Sequence, residues 1–188
     1  MNVRFASALS LLLLALASTP GAAAPEPTPP LHVSDSTGTL SSEELAALEG
    51  RLRDFEQRRL GRIVVLMLPT TGIEPLGHYA LRMSSASPDR RANDDLALLI
   101  IAKNDRRLHI HIGTKLRRAI PEAMAKRIVD RVLAQRFEAD EFYCGIRDGT
   151  ETMIKLIEGG RLPTRPSFPV CPHPEAPGAR LRLALSPS

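Results

Sequence analysis

The stretch RANDDLALLIIAKNDRRLHIHIG, which runs from Arg91 to Gly113, decides the fold. It places an amide and two carboxylates, Asn93, Asp94 and Asp95, directly before an unbroken apolar run, LALLII. This run is short and continuous rather than alternating, a pattern typical of a strand that is covered on both faces. The stretch therefore predicts a buried strand over residues 96–101.

The second half of the same stretch predicts a hairpin. Residues 103–106, KNDR, have turn chemistry. After them Leu108, Ile110 and Ile112 alternate with basic residues, as expected of a strand with one buried and one exposed face. We therefore expect two antiparallel strands, the second of them half exposed.

The flanking segments supply the other elements. Ser41 to Glu44 form a capping box before an amphipathic helix that ends near Gly61. RIVVLML (62–68) predicts a second covered strand, and residues 74–86 a crossover helix. Pro121 opens another helix with one apolar stripe, and a last helix spans Phe142 to Ile157. This order predicts a single α/β/α sandwich, with a small mixed sheet covered by helices on both faces.

The two ends of the chain differ from this folded unit. Residues 1–24 have a basic start, a short apolar run and small residues, the layout of a cleaved signal peptide. Residues 25–30 form a Pro-rich spacer, and residues 161–188 a Pro-rich tail that we expect to be disordered. The domain is therefore expected over residues 31–160, in a periplasmic or secreted protein without a transmembrane span in its mature form.

The excess of basic over acidic residues does not indicate nucleic-acid binding. The 188 residues have a net charge of +4, but their basic side chains are scattered and only 4% of residues are aromatic. A nucleic-acid footprint needs clustered cations on one face together with stacking aromatics.

Two cysteines, Cys144 in the domain and Cys171 in the tail, are the only ones in the chain. In an oxidising compartment they can pair, which would tie the tail to the domain. The alternative is that Cys144 is a small buried apolar side chain and Cys171 plays no part. No CxxC motif supports a redox or thiolate zinc site.

The candidate site residues are acidic. A nucleophile elbow, a P-loop and an HExxH motif are all missing from the sequence. Oxygen ligands occur at three places, each at the edge of a predicted element, and we expect them to converge on a divalent metal: Asp35, Asp94 with Asp95, and Asp140 with Glu141. Calcium is expected rather than magnesium, because it accepts irregular cages of six to eight oxygens. The alternative is that Asp94 and Asp95 cap a turn or pair with Arg90 and Arg91.

Histidine and basic side chains have two interpretations each. His109 and His111 face the same way on one strand, so they either hold a metal as a pair or lie on a solvated face. Lys115, Arg117 and Arg118 are either a solvated helix face or a contact for an anion or a partner.

The order of motifs resembles the TPM domain family over roughly residues 33–160. Its opening V-x-D-x-x-G-x-L-S pattern corresponds to VSDSTGTLS (33–41), and NDDLALLI, RRLHIHIG and FEADEFYCGI follow in the family's order. Three positions depart from the family. Asn93 stands where an acid is usual, Asp95 replaces a glycine, and Asp140 replaces a small residue.

The resemblance implies an extracytoplasmic α/β/α sandwich, and a divalent metal, often calcium, in some members. It also implies two classes of function. One is an accessory module that binds a protein partner, a membrane-associated partner included, and acts in assembly or repair. The other is a metal-dependent acid phosphatase of phosphate monoesters. For that function Arg90, Arg91 or Lys115 in this chain are the cations expected to meet the phosphate. We expect the partner-binding module, with little or no enzymatic activity.

Overall fold

The structure of the protein is a computed structural model that describes residues 32–85 and 93–161. Four strands form one sheet in the order β1 to β4: Val33–Asp35, Arg62–Leu68, Leu96–Ala102 and Arg107–Ile112. The first three are parallel, and β4 pairs antiparallel with β3. The predicted mixed sheet is confirmed. The strand β1 was not predicted, because its three residues are too few to show alternation.

Helices cover both faces of the sheet. They are α1 (Ser42–Gln57), α2 (Leu76–Ser85), α3 (Glu122–Ile128), α4 (Ala134–Glu138) and α5 (Phe142–Ile157). A turn of 3-10 helix spans Leu116–Arg118, and a π-helical stretch, Val129–Leu133, joins α3 to α4. The single helix predicted after Pro121 is therefore interrupted.

The alternating sides of the strands build two cores. On one face Val65, Leu99 and Ile110 pack with α1, α3 and α5. On the other face Leu98 and Ile100 pack under α2. Every residue of β3 is buried, which confirms that this strand is covered on both faces.

The first and last helices begin where the sequence predicts. Ser41 caps α1, and its side chain and that of Glu44 each accept a hydrogen bond from the other residue's backbone N–H. The last helix has the predicted bounds, Phe142 to Ile157. None of the helices in the described ranges is long and apolar enough to cross a membrane.

The ends of the strands form two opposite edges of the sheet. We call the edge where β1, β2 and β3 end and β4 begins the carboxyl edge, and the opposite one the amino edge. Gly113 lies at the amino edge, where its N–H donates to the carbonyl of Leu96 at 2.7 Å. The backbone of Asn93 and Asp94 crosses directly over this glycine, so that a Cβ built on it would lie 2.2 Å from the Asn93 carbonyl oxygen. The two ends of the described segment 93–113 thus lie against each other at this point.

Candidate functional site

Three loops meet at the carboxyl edge. The N–H of Ser36, after β1, donates to the carbonyl of Met67 at 2.9 Å, and the N–H of Lys103, after β3, donates to that of Leu68 at 3.0 Å. The loop after β2 is joined to the β3–β4 turn, because Asp105 accepts from the N–H of Thr71 at 3.0 Å. In open sheets with parallel strands, ligands bind outside the carboxyl ends of the strands. The carboxyl edge is therefore the first place to look for a site.

Asp35 organises the first of these loops. One carboxylate oxygen accepts from the N–H and hydroxyl of Thr37, and the other from the N–H groups of Thr39 and Leu40, at 2.6 to 2.9 Å. Partial burial raises the pKa of Asp35, but these hydrogen bonds outweigh it and hold the pKa below its ordinary value. The four donors occupy the lone-pair positions of the carboxylate, so Asp35 is a loop-building residue.

Lys103 links this loop to the start of α5. Its Nζ donates to the hydroxyl of Thr39 at 2.8 Å and lies 4.9 Å from the ring centroid of Phe142. A cation at this distance over an aromatic face is attracted by the ring. Lys103 therefore connects the β1 loop, the β3–β4 turn and α5 at one point.

Beside Lys103 lies a cleft of about 570 Å³, which we call the edge cleft. Its walls are the β3–β4 hairpin and the segment from α4 to the start of α5. The apolar part of the lining includes Leu108, Phe137 and Phe142, and both signs of charge are present: Lys103, Arg106, Arg107, Glu138 and Asp140. A volume of this size is within the ordinary range of ligand-binding clefts.

Two residues of the edge cleft have an unusual backbone. Arg106 has a φ of 51° and Asp140 a φ of 58°. Left-handed conformations are uncommon for residues other than glycine, and at functional sites they often serve to aim a side chain. They occur here on the two opposing walls of one cleft.

The five acids predicted as metal ligands do not converge. Asp35 aligns with Met67 and through it with Ile101. Asp95 precedes Ile101 by six residues, so Asp35 and Asp95 lie roughly 20 Å apart along the sheet. Asp140 and Glu141 directly precede Phe142 at the carboxyl edge, whereas Asp94 and Asp95 are at the amino edge. Within residues 32–85 and 93–161 no group of three or more His, Cys, Asp or Glu side chains is arranged to hold a metal.

Most of these acids have protein partners. Asp94 accepts from the hydroxyl of Thr114 at 2.5 Å, and Asp95 pairs with Lys115 at 2.9 Å. Glu141 pairs with Arg136. The contacts of Asp94 and Asp95 agree with the alternative interpretation, in which these two acids stabilise a turn. The cation that pairs with Asp95 is Lys115. Arg90 and Arg91 lie outside the described residues.

Asp140 is the exception among the five. Its carboxylate has no hydrogen bond or ion pair within the described part of the chain, and it lines the edge cleft. The role of each of the five acids as a metal ligand stays a prediction, but the five are too far apart to share one cage.

His109 and His111 lie on the sheet face that α2 covers. The ring of His109 lies against Gly77 of α2, since a Cβ built on that glycine would be 3.7 Å from its Cε1. Burial lowers the pKa of both histidines, and for His111 the nearby His109 and Arg117 lower it further, while Glu122 partly offsets the effect at His109. Both histidines are half-buried, so this face is partly covered by α2 and partly open, and neither interpretation of the pair is excluded.

These histidines predict a loss of stability in acid. The unfolded chain takes up their protons near the ordinary pKa of 6.5, and the folded chain takes them up only at a lower pH. Stability is then complete above that value and falls as the pH drops below it. Thermal melts at about pH 7.5 and 5.5 should show a lower midpoint at the acidic pH. The double variant His109→Gln, His111→Gln should show a smaller drop, and an equal drop would contradict the assignment.

Lys103 and Arg106 were missed as site residues by sequence reasoning, which assigned KNDR only to a turn. The signal that finds them is topological. A turn directly after a parallel strand lies at the carboxyl edge, where ligands bind. Arg117 and Arg118, which were considered for an anion contact, are exposed in the 3-10 turn near the amino edge instead.

Cys144 is disulfide-bonded and buried in α5. The described residues contain no free cysteine. Cys171, the predicted partner, lies outside the described residues, as do the signal layout, the spacer and the tail beyond Arg161.

Comparison with known proteins agrees with this fold. The sequence model of one family, the TPM domain, matches residues 33–156. The N-terminal domain of a protein from P. gingivalis has a TM-score of 0.62 at 23% identity, covering 69% of this chain and 83% of its own. The corresponding domain of a Corynebacterium glutamicum protein has a TM-score of 0.52 at 17% identity, covering 74% and 86%. The BA42 protein of Bizionia argentinensis has a TM-score of 0.51 at 19% identity, covering 64% and 82%.

At these identities the three solved structures show the fold alone. No curated protein matches this chain.

Proposed function

We propose that this chain, which belongs to the TPM domain family, is an exported accessory module that binds a partner protein through the edge cleft. The observation that carries the proposal is the lining of the cleft, in which apolar walls stand beside cations and carboxylates at the carboxyl edge. The partner class includes membrane-associated proteins.

The chemistry of the cleft suits a peptide segment. Phe137 and Phe142 lie 5.0 Å apart between ring centroids and offer an aromatic surface for an apolar side chain. Arg106 on one wall and Asp140 on the other offer opposite charges to a polar backbone or to charged side chains. Aromatic and arginine side chains are the types that contribute most of the binding energy at protein interfaces.

Export is the second part of the proposal. Its support is the signal layout of residues 1–24, and it assigns the mature protein to the periplasm or the medium. Measuring the mass of the mature protein tests this part, because retention of the first 20 or so residues would contradict it.

Affinity purification of cleft variants tests the partner. Arg106→Ala removes a cation from the edge cleft, and Arg118→Ala removes an equally exposed cation from the 3-10 turn near the amino edge. We expect one protein to be retained by the wild type and by Arg118→Ala, and to be lost or reduced about tenfold with Arg106→Ala. Equal retention by both variants would contradict binding through the cleft.

A divalent cation is the cofactor we propose for the cleft, calcium before magnesium. The five acids predicted from the sequence do not fit one cage. The edge cleft has its own oxygen donors, and Asp140 and Glu138, with the side-chain oxygen of Asn104, would hold a cation there. A bound cation would add positive charge for an acidic group of the partner.

Calcium should therefore stabilise the domain. At one hundred times its dissociation constant it raises the free energy of unfolding by about 2.7 kcal/mol. Melts in calcium and in chelator should show this shift for the wild type and for Asp94→Asn, but not for Asp140→Asn. Asparagine tolerates the left-handed backbone of position 140, so this variant changes only the charge. Loss of the shift in Asp94→Asn alone would place the cation at the amino edge.

The alternative function is a metal-dependent phosphatase, and one observation favours it. Lys103, Arg106 and Arg107 line the same cleft, and cations of this kind stabilise a transferring phosphoryl group. Hydrolysis of a chromogenic phosphate ester by the purified protein distinguishes the two functions. Turnover that needs metal and is lost in Lys103→Ala would favour the enzyme over the binding module.

A further inference from the structure

The charges that line the edge cleft are separated by sign. Lys103 and Arg106 belong to the β3–β4 turn, and we call them the basic wall. Glu138 ends α4 and Asp140 lies in the loop before α5, and we call these two acids the acidic wall. The cleft is therefore polarised across its width, from the hairpin to the α4–α5 segment.

The two walls do not neutralise each other. Among the described residues, no ion pair joins the basic wall to the acidic wall, although acids and bases of neighbouring elements pair elsewhere, as Arg58 and Glu158 do at 2.7 Å. The third cation of the cleft, Arg107, is directed to the loop after β2, because its guanidinium donates to the carbonyl of Glu74 at 3.3 Å. The charges of the two walls are thus available to a ligand.

The surface between the walls is apolar. Phe137 and Phe142 are partly buried there, whereas Arg106, Glu138 and Asp140 are exposed. The ring of Phe137 is packed closely against α5, since a Cβ built on Gly145 would overlap it. The cleft therefore has a fixed aromatic floor, and its rim carries opposite charges on opposite sides.

We propose that the partner segment bound in the edge cleft is dipolar, with an acidic, an apolar and a basic side chain in consecutive positions. The acid meets the basic wall, the base meets the acidic wall, and the apolar side chain lies on Phe137 and Phe142. This inference rests on the proposed function, because it takes the edge cleft as the partner site.

The geometry of an extended segment suits this arrangement. Residues i and i+2 of an extended chain lie roughly 7 Å apart, and the side chain between them points to the opposite face. One tripeptide that crosses the cleft therefore places its two charges at the two sides of the rim and its middle side chain toward the floor. A cleft of about 570 Å³ accommodates a segment of this size.

Segments with two like charges fit less well. A doubly acidic segment places one carboxylate beside Glu138 and Asp140, and a doubly basic segment places one cation beside Lys103 and Arg106. Complementary charges orient a ligand, and like charges exclude the wrong one. Because the walls are largely exposed, each of these contacts changes affinity only a few fold. We therefore expect a preference of about fivefold for the dipolar segment.

Titration of the mature full-length protein with three end-blocked peptides tests the motif. The peptides are Gly-Glu-Phe-Lys-Gly, which is dipolar, Gly-Glu-Phe-Glu-Gly and Gly-Lys-Phe-Lys-Gly, and binding is followed by the chemical shifts of backbone amides. The titrations are made in chelator, because the divalent cation proposed above would neutralise the acidic wall. We expect the wild type to bind the dipolar peptide about fivefold more tightly than either of the others.

Two variants each cancel the net charge of one wall. Arg106→Glu does so for the basic wall, and it should bind the dipolar and the doubly basic peptide equally. Glu138→Lys does so for the acidic wall, and it should bind the dipolar and the doubly acidic peptide equally. Arg118→Glu, in the exposed 3-10 turn near the amino edge, changes the charge of the protein as Arg106→Glu does and should keep the wild-type order.

Equal binding of the three peptides by the wild type, or no binding of any of them, would overturn the dipolar motif. The wild-type order in both Arg106→Glu and Glu138→Lys would also overturn it. A partner that is lost from Arg106→Ala in affinity purification, while the wild type binds the three peptides equally, would leave the proposed function standing without this motif. The two proposals can therefore fail separately.

Discussion

Replacing Gly113 by alanine should lower the free energy of unfolding by about 3 kcal/mol, the upper part of the range for overpacking a close contact. The new Cβ would lie 2.2 Å from the carbonyl oxygen of Asn93 and 2.5 Å from that of Asp94. Both are backbone atoms, so a rotamer change cannot relieve the contact. The backbone of residues 93–95 must move, and with it the hydrogen bond that the N–H of Arg62 donates to Asp95.

Gly50→Ala is the matched control for this substitution. A Cβ at Gly50, in the middle of α1, would have nothing within 4 Å. Alanine is the better helix former, so this variant should gain about 0.5 to 1 kcal/mol. Urea denaturation of both variants gives the two values. A loss below about 1 kcal/mol for Gly113→Ala would show that the backbone of residues 93–95 moves aside easily, and would contradict the close packing over Gly113.

Replacing Asp35 by asparagine should lower the free energy of unfolding by about 2 kcal/mol, since an amide group turned toward N–H donors leaves some of them unsatisfied. The carboxylate accepts from the N–H groups of Thr37, Thr39 and Leu40 and from the hydroxyl of Thr37. An asparagine offers one acceptor oxygen in place of two. The loop that holds Thr39 beside Lys103 would then lose its fixed shape.

This substitution also separates the loop-building role of Asp35 from a role as a metal ligand. If Asp35 builds the loop, the loss will be the same in calcium and in chelator. If the loss appears only in calcium, Asp35 is a ligand and the structural assignment is wrong. Asp54→Asn, on the exposed side of α1, is the control and should change the free energy of unfolding by less than about 0.5 kcal/mol.

The sequence was sufficient for the elements whose patterns are local. The capping box at Ser41, the continuous apolar run of β3 and the stripe of α5 each depend on neighbouring residues, and each is found in the structure. The strand β1 has no pattern of its own, because it is defined by pairing with Val65 to Met67. The π-helical stretch Val129–Leu133 is likewise an adjustment to packing that periodicity does not reveal.

The candidate site was predicted less well, because it depends on strand direction. Asp35 is the last residue of a parallel strand and Asp94 precedes one, so the two lie at opposite edges of the sheet. Sequence patterns do not reveal strand direction, and without it the acids at the strand ends are expected to meet. Lys103 and Arg106 were overlooked because a turn of polar residues in a hairpin is usually no more than a turn.

Site-specific photo-crosslinking in the native cell tests most directly whether the edge cleft binds a partner. A photoreactive phenylalanine analogue is placed at Arg106, and in a second protein at Arg118 near the amino edge; both positions are exposed. Binding through the edge cleft predicts one discrete protein adduct from position 106, which weakens when Lys103→Ala is added, and no adduct from position 118. An adduct of equal strength from both positions, or one from position 118 alone, would contradict it.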